Sequence, residues 1–277
     1  MGGAYLTIDD SPTPDTLTLC DFMSAHDVPA IFYCRGDHIA QYPEVAVEMV
    51  KRGFVLGNHG YAHKRATSLS TQEVQDDILK CEALIDAAYQ SAEIKRTGKY
   101  FRFPYLDRGC GAWIVDYDAL PAEHSSIIQK LFAEGLYLDD TQPSPALLQK
   151  QKDLQLWLTN QGFSVPFENV KFPWYTHPEM SAAHDALYTF STADWMMTAR
   201  HLTKNHPYKT IDDLKQKIDD DPFLHDATSN NIVLIHDQKE LKSVFKALLS
   251  HMIARGIKFL PIAGSKGLLG DDERTMT

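Results

Sequence analysis

The apolar positions of this chain fall into two alternating rhythms. Residues 4–8 (Ala-Tyr-Leu-Thr-Ile), 29–33 (Pro-Ala-Ile-Phe-Tyr) and 54–56 (Phe-Val-Leu) read as short buried strands. Between them, residues 15–26 and 43–52 carry helical spacing, with Pro43 in a first turn and Gly53 just past the end. The next helix is the best marked. Ser70 and Glu73 fit a capping box, and Val74, Ile78, Cys81, Ile85 and Ala88 follow at helical intervals. A further strand is expected near 100–103. Strand–helix alternation of this kind predicts an α/β fold, a mostly parallel sheet with crossover helices.

The rhythm breaks after residue 105. Residues 106–185 carry helical patterns near 123–134 and 146–160, then a loop rich in aromatics, Pro and His. We expect a mainly helical insertion or cap there, within a single domain over 1–270. Strand signals return at 187–190 and 232–235, followed by a helix near 239–254 and a last strand at 257–260. Residues 271–277 read as a polar tail.

Composition narrows the class. With 277 residues, 44% hydrophobic and 23% charged, the chain is long enough for a large core and is ordinary for a globular protein. A formal net charge of -10 argues against nucleic acid or anionic membranes as partners, since both need a basic face. Cys20, Cys34, Cys81 and Cys110 form no Cys-x-x-Cys pair, so buried free thiols are expected and a cysteine zinc site is not. No apolar run approaches the ~20 residues that span a bilayer. Residues 4–8 already read as a strand, so a cytoplasmic location is expected as the chain stands, or an exported one if a leader has been removed. No oligomeric state follows.

Polar clusters stand directly after several of these strands, where sites form in parallel α/β folds. Asp9 and Asp10 follow the first. Adjacent carboxylates are costly together unless a cation or an Arg neutralises them, although Asp-Ser-Pro is also ordinary turn chemistry. His59 and His63 follow the third; at this spacing both imidazoles share one face of a helical turn and can reach one ion. With one carboxylate they make a three-ligand set with positions left open. Taken alone, the pair reads equally as surface histidines. Arg102 follows apolar strand residues and needs an anionic partner if buried. His236 ends the strand at 232–235 and suits either a general acid or a satisfied core position.

In this order the clusters resemble the polysaccharide deacetylase family, carbohydrate esterase family 4, with its NodB-like domain. The resemblance runs through Thr7-Ile8-Asp9-Asp10, His59 to His63, Arg102-Phe103-Pro104-Tyr105, Asp194-Trp195 and Leu234-Ile235-His236, and through residues 29–69 generally. It is close over 1–105 and looser over about 187–262. It implies a deformed (β/α) barrel with fewer than eight complete units. It also implies roles: Asp10, His59 and His63 as metal ligands, Asp9 as general base paired with Arg102, and His236 as general acid tuned by Asp194. The Tyr105 backbone N–H would hold an oxyanion, and Trp195 and Leu234 would wall the acetyl pocket. The cofactor implied is one divalent ion, Zn²⁺ first, with Co²⁺, Ni²⁺ or Fe²⁺ suited to the same ligands.

The function implied is removal of N-acetyl groups from an N-acetylated carbohydrate. Two alternatives remain open: a cytosolic hydrolase of a small linear or cyclic amide, and a carbohydrate-binding protein without catalysis. The chain departs from the family pattern at Ser11, Gly60, Phe103 and Leu106, and most of all over 106–185. Trp113, Trp157, Trp174, Tyr175 and His177 lie there, and the aromatics are expected to pack rather than stack on sugars. His26, His38, His124, His184, His201, His206, His225 and His251 share no joint pattern and are expected to be structural or superficial.

Overall fold

The structure, a computed structural model, describes residues 2–133, 142–181 and 184–262. The polar tail expected over 271–277 lies outside the described residues. The central strand β1 (Gly3–Ser11) is buried along its whole length. β2 (Ala30–Cys34) and β5 (Asn231–His236) flank it, and β3 (Val55–Asn58) and β4 (Phe190–Ser191) extend the sheet on either side. The order is β3-β2-β1-β5-β4, and β6 (Lys258–Phe259) pairs with Gly3 and Ala4 of β1. Every pairing is parallel, so the strands need crossover connections. The helices are α1 (Thr16–Ser24), α2 (Gly36–Gln41), α3 (Pro43–Lys51), α4 (Thr71–Ser91), α5 (Ala122–Ala133), α6 (Pro145–Asn160), α7 (Pro178–Ser181), α8 (Ala199–Leu202), α9 (Ile211–Asp220) and α10 (Lys242–Ala254). The expected capping box is formed at the start of α4: Ser70 accepts from the Glu73 N–H, and Glu73 accepts from the Ser70 N–H.

Successive side chains of a strand face opposite sides, and β1 divides in that way. Leu6 and Ile8 join Phe32, Leu56, Val233 and Ile235 in the larger core, together with Leu19, Met49, Ile85, Phe245 and Leu248 from the surrounding helices. Tyr5 joins Ile31, Tyr33, Val55, Ile232 and Leu234 in a second core, filled by Trp113, Ile128, Phe132, Phe172 and Trp174 from 106–185. Burial on both faces is the condition under which parallel sheets persist. Trp113 and Trp174 are thus packing residues, and the Phe172 and Trp174 rings stack at 5.6 Å. The four cysteines are free and buried.

The sheet is a deformed barrel whose ladder stays open among the described residues. The strand expected at 100–103 shrinks to isolated bridges, Asn58 with Phe101 and Lys99 with Phe163. Its partner β3 ends at Asn58, opposite Phe101, so residues 102–103 have no rung of β3 to meet. The ring is still drawn together there: the Ala186 N–H donates to the Phe101 carbonyl at 2.7 Å, just before β4. Four helices among the described residues are not expected from the pattern: α2, α7, α8 and α9. The buried stripe of α9 is only Leu214 and Ile218, too sparse to read, although Thr210 and Asp213 cap it. No helix among the described residues is long and apolar enough to cross a membrane.

Candidate metal centre

The predicted site residues collect at the carboxyl ends of the strands. In a regular strand Asp9 and Asp10 would point to opposite faces. The β1–β2 register shifts between Asp9 and Ser11, and Asp10 is left-handed with φ 72°. A bulge of this kind re-aims a side chain, and here it brings two consecutive carboxylates to one place. Left-handed backbone recurs at His63 (φ 51°), Tyr105 (φ 58°) and Ala193 (φ 56°), the residue before Asp194. Each such residue costs about 1–3 kcal/mol and persists only where its surroundings hold it.

The histidine pair meets for a different reason than its spacing suggested. Residues 59–63 form a loop, not a helical turn. The loop is held from both sides: its carbonyls at Gly60 and Tyr61 accept from Gly36 and Asp37, and its N–H groups at Tyr61 and Ala62 donate to Asp77. Gly60 has φ 71°, and a Cβ there would stand 2.7 Å from Asp77 Oδ2, which accounts for glycine at this position.

Asp10, His59 and His63 each offer a ligand atom, all within 4.8 Å of one another. His63 Nε2 lies 3.2 Å from Asp10 Oδ1, and His59 Nε2 lies 3.9 Å from the same oxygen. His59 Nδ1 donates to the Arg102 carbonyl at 2.8 Å. A carbonyl only accepts, so Nδ1 carries a proton and Nε2 is the ring atom turned toward Asp10 that an ion could use. Burial pushes His63 down to about 4, and Asp10 only partly offsets it. Burial pushes Asp10 up, but His63, His59 and His236 outweigh it and hold the carboxyl well below the usual range. Near neutral pH the set therefore contains a carboxylate at Asp10 and a neutral His63. Asp10 Oδ1 is buried with no hydrogen-bond partner. A buried, unpartnered anionic oxygen facing imidazole nitrogens fits a divalent cation.

Asp9 stands beside this set, its Oδ2 3.7 Å from His59 Nε2. Its Oδ1 accepts from Arg102 Nη1 at 2.7 Å. Arg102 is fully buried; it also donates to Thr7 Oγ1 and the Ala186 carbonyl, and its guanidinium lies 4.3 Å over the Tyr33 ring. Across the β1–β5 ladder, Asp9 pairs in register with His236. His236 Nδ1 donates to Asp194 Oδ1 at 2.8 Å, and Asp194 Oδ2 accepts the His236 N–H. Burial works against a charged His236, but Asp194 overcomes it and, with Asp10 and Asp9, raises the imidazole to about 9.

The set opens into a cleft of about 480 Å³ lined by Asp10, His63, His38, Tyr105, Asp237 and Gln238 among others. Tyr105 is exposed, with its ring against His63 and under Arg65. Its N–H lies in the first turn of a 3₁₀ segment, where no acceptor exists within the turn. Leu234 and Trp195 are set back from this lining. Leu234 is buried in the second core, and Trp195 packs edge-on against His201 and His206. His38 and Gln238, which the sequence did not single out, both touch Asp10. Their signal was placement, since each follows a strand end as the chosen clusters do.

The family model described as Polysaccharide deacetylase matches residues 2–113. The resemblance to the polysaccharide deacetylase family holds. A chitooligosaccharide deacetylase of Bradyrhizobium sp. is 33% identical over 123 residues, covering 43% of this chain and 51% of the relative. A peptidoglycan-N-acetylglucosamine deacetylase of Bacillus cereus is 29% identical over 101 residues, covering 36% of this chain and 35% of the relative. The chain thus spans about half, or less, of the length of these curated relatives. Among solved structures, the catalytic domain of a peptidoglycan N-acetylglucosamine deacetylase from Eubacterium rectale has a TM-score of 0.58 at 18% identity, covering 95% of this chain and 89% of that one. A Bacillus anthracis protein described as a pseudoenzyme of carbohydrate esterase family 4 has a TM-score of 0.53 at 16% identity, covering 97% of this chain and 66% of that one. At these identities the likeness establishes the family's fold, and a pseudoenzyme shares it; activity must be argued from the site.

Proposed function

We propose that this chain is a metal-dependent hydrolase that removes N-acetyl groups from N-acetylated sugars. The observation that carries the reading is the convergence of Asp10, His59 and His63 within 4.8 Å, with a second carboxylate, Asp9, alongside. The names of the relatives supply the substrate class: chitooligosaccharide and peptidoglycan-N-acetylglucosamine deacetylases. In this reading residues 1–270 form one catalytic domain, and 106–185 a cap within it.

Asp10, His59 and His63 hold the ion, proposed as Zn²⁺. When bound, such an ion polarises the acetyl carbonyl and acidifies the attacking water. Asp9 takes the water's proton, with Arg102 orienting its carboxylate through Oδ1 and leaving Oδ2 beside His59 Nε2. The Tyr105 N–H donates to the oxyanion as it develops. His236, kept protonated by Asp194, delivers its proton to the departing amine. Acid–base assistance of this kind contributes typically ~10²–10⁴-fold. The resemblance assigns Trp195 and Leu234 to the acetyl pocket, although both stand back from the cleft lining.

Two measurements test the proposal, each with and without chelator: acetate release from chitooligosaccharides, and substrate consumption for small linear and cyclic amides. The expected outcome is chelator-sensitive acetate release from the sugars. Turnover of the small amides alone would replace the substrate class. Stoichiometric glycan binding without acetate release, even with Zn²⁺ supplied, would overturn the enzyme reading.

A further inference from the structure

We propose that Gln238 and His38 are positioning residues for Asp10, and that they set how tightly the centre holds a divalent ion. This rests on the reading of Asp10 as a metal ligand. The two side chains hold opposite ends of that one residue. Gln238 Nε2 donates to Asp10 Oδ2 at 2.7 Å, while Oδ1, the oxygen facing both histidines, is buried without a hydrogen-bond partner. One carboxylate oxygen is thereby engaged, and the other is the atom offered to a cation. At the backbone end, His38 Nδ1 donates to the Asp10 carbonyl at 2.9 Å. That contact braces a non-glycine residue in left-handed backbone, φ 72°, without which the Asp10 side chain would point away from Asp9.

Neither residue belongs to the elements that carry Asp10. His38 lies in α2, after β2, and Gln238 follows β5, on the other side of β1. Asp10 is thus clamped between the segments that follow both neighbouring strands. Residues that orient a metal ligand from outside the coordination sphere typically contribute 10–100-fold in affinity.

The test uses the whole chain stripped of metal, with Zn²⁺ affinity read by competition against a chromophoric chelator and coordination read from the visible absorption of bound Co²⁺. Gln238→Leu is expected to weaken Zn²⁺ binding by roughly 10–100-fold. It should also change the Co²⁺ spectrum, because both Asp10 oxygens become available. His38→Ala should weaken binding as well. His38→Asn, which keeps a donor at the Nδ1 position, should restore it. Melting temperatures in chelator monitor folding, and the His38 pair decides the matter if Gln238→Leu fails to fold. Wild-type Zn²⁺ affinity and an unchanged Co²⁺ spectrum in Gln238→Leu and His38→Ala would overturn the proposal. A wild-type chain that binds neither ion would instead overturn the reading of the centre on which the proposal rests.

Discussion

The face of the sheet beneath the helices and the face beneath residues 106–185 draw on alternate residues of the same strands, yet they differ in polarity. The helix-covered face is apolar along β1 at Leu6 and Ile8, and its neighbours Phe32, Leu56, Val233 and Ile235 continue it. On the other face β1 presents Tyr5, Thr7 and Asp9, growing more polar toward the carboxyl end. There Arg102 lies fully buried between Asp9, Thr7 and the Tyr33 ring. The first face holds the fold together by area buried. The second gives up some of that gain to place charged groups where strands end, and there Asp9 and Arg102 pair with each other.

Perturbing each face should separate the two roles. The largest effect is expected at the exit of β1. Asp9→Asn should lower kcat by roughly 10²–10⁴-fold, the scale of a lost acid–base group, while Zn²⁺ affinity stays close to wild type. Asp10→Ala or His59→Ala should lose metal and turnover together. Full turnover in Asp9→Asn would remove the proposed base.

Next, substitutions of similar energetic size on the two faces should differ in kind. Phe245→Ala, in the helix-covered core, should cost about 3–5 kcal/mol in urea unfolding and leave KM and kcat unchanged under conditions where the protein stays folded. Arg102→Met strands the buried Asp9 carboxylate and should cost about 3–5 kcal/mol, with a loss of turnover besides. Equal catalytic losses in both variants would mean that the faces are not functionally distinct.

A smaller effect should come from pH. His236 is raised from 6.5 to about 9 in the folded chain. Its protonation therefore favours the folded state fully below the unfolded value, and this contribution is lost as pH rises through the folded one. In chelator, the wild-type melting temperature should fall between pH 7 and 9.5 more steeply than that of His236→Gln, as thermal melts across that range would reveal. In the proposed mechanism the same proton is the one delivered to the leaving amine, so kcat should decline on the alkaline side; a bound cation would move that limb to lower pH by repelling the imidazolium.

The smallest effect is expected in the helix layer. Ser70→Ala removes one half of the α4 capping box and should cost ~1 kcal/mol. Metal titration of this variant should be indistinguishable from wild type. A change there would mean that helix caps and the metal centre are energetically linked, and the two faces would no longer be separable.

The chain's own pattern was enough to read the parallel α/β architecture, the capped α4, and Asp9, Asp10, His59, His63, Arg102 and His236 as candidates at strand exits. All of these are local signals: a period of two or of 3.6, a cap, a polar residue after an apolar run. What brought Asp10 and the histidines together was not local. The left-handed turn at Asp10, the loop at 59–63 and the contacts from His38 and Gln238 depend on hydrogen bonds between segments far apart in sequence. The short bridges at Lys99 and Phe101 and the packing of Trp174 likewise depend on which partners arrive. Periodicity records how each residue faces its neighbours along the chain. It carries no record of which distant backbone will satisfy a strained one, and that closure is a property of the assembled sheet alone.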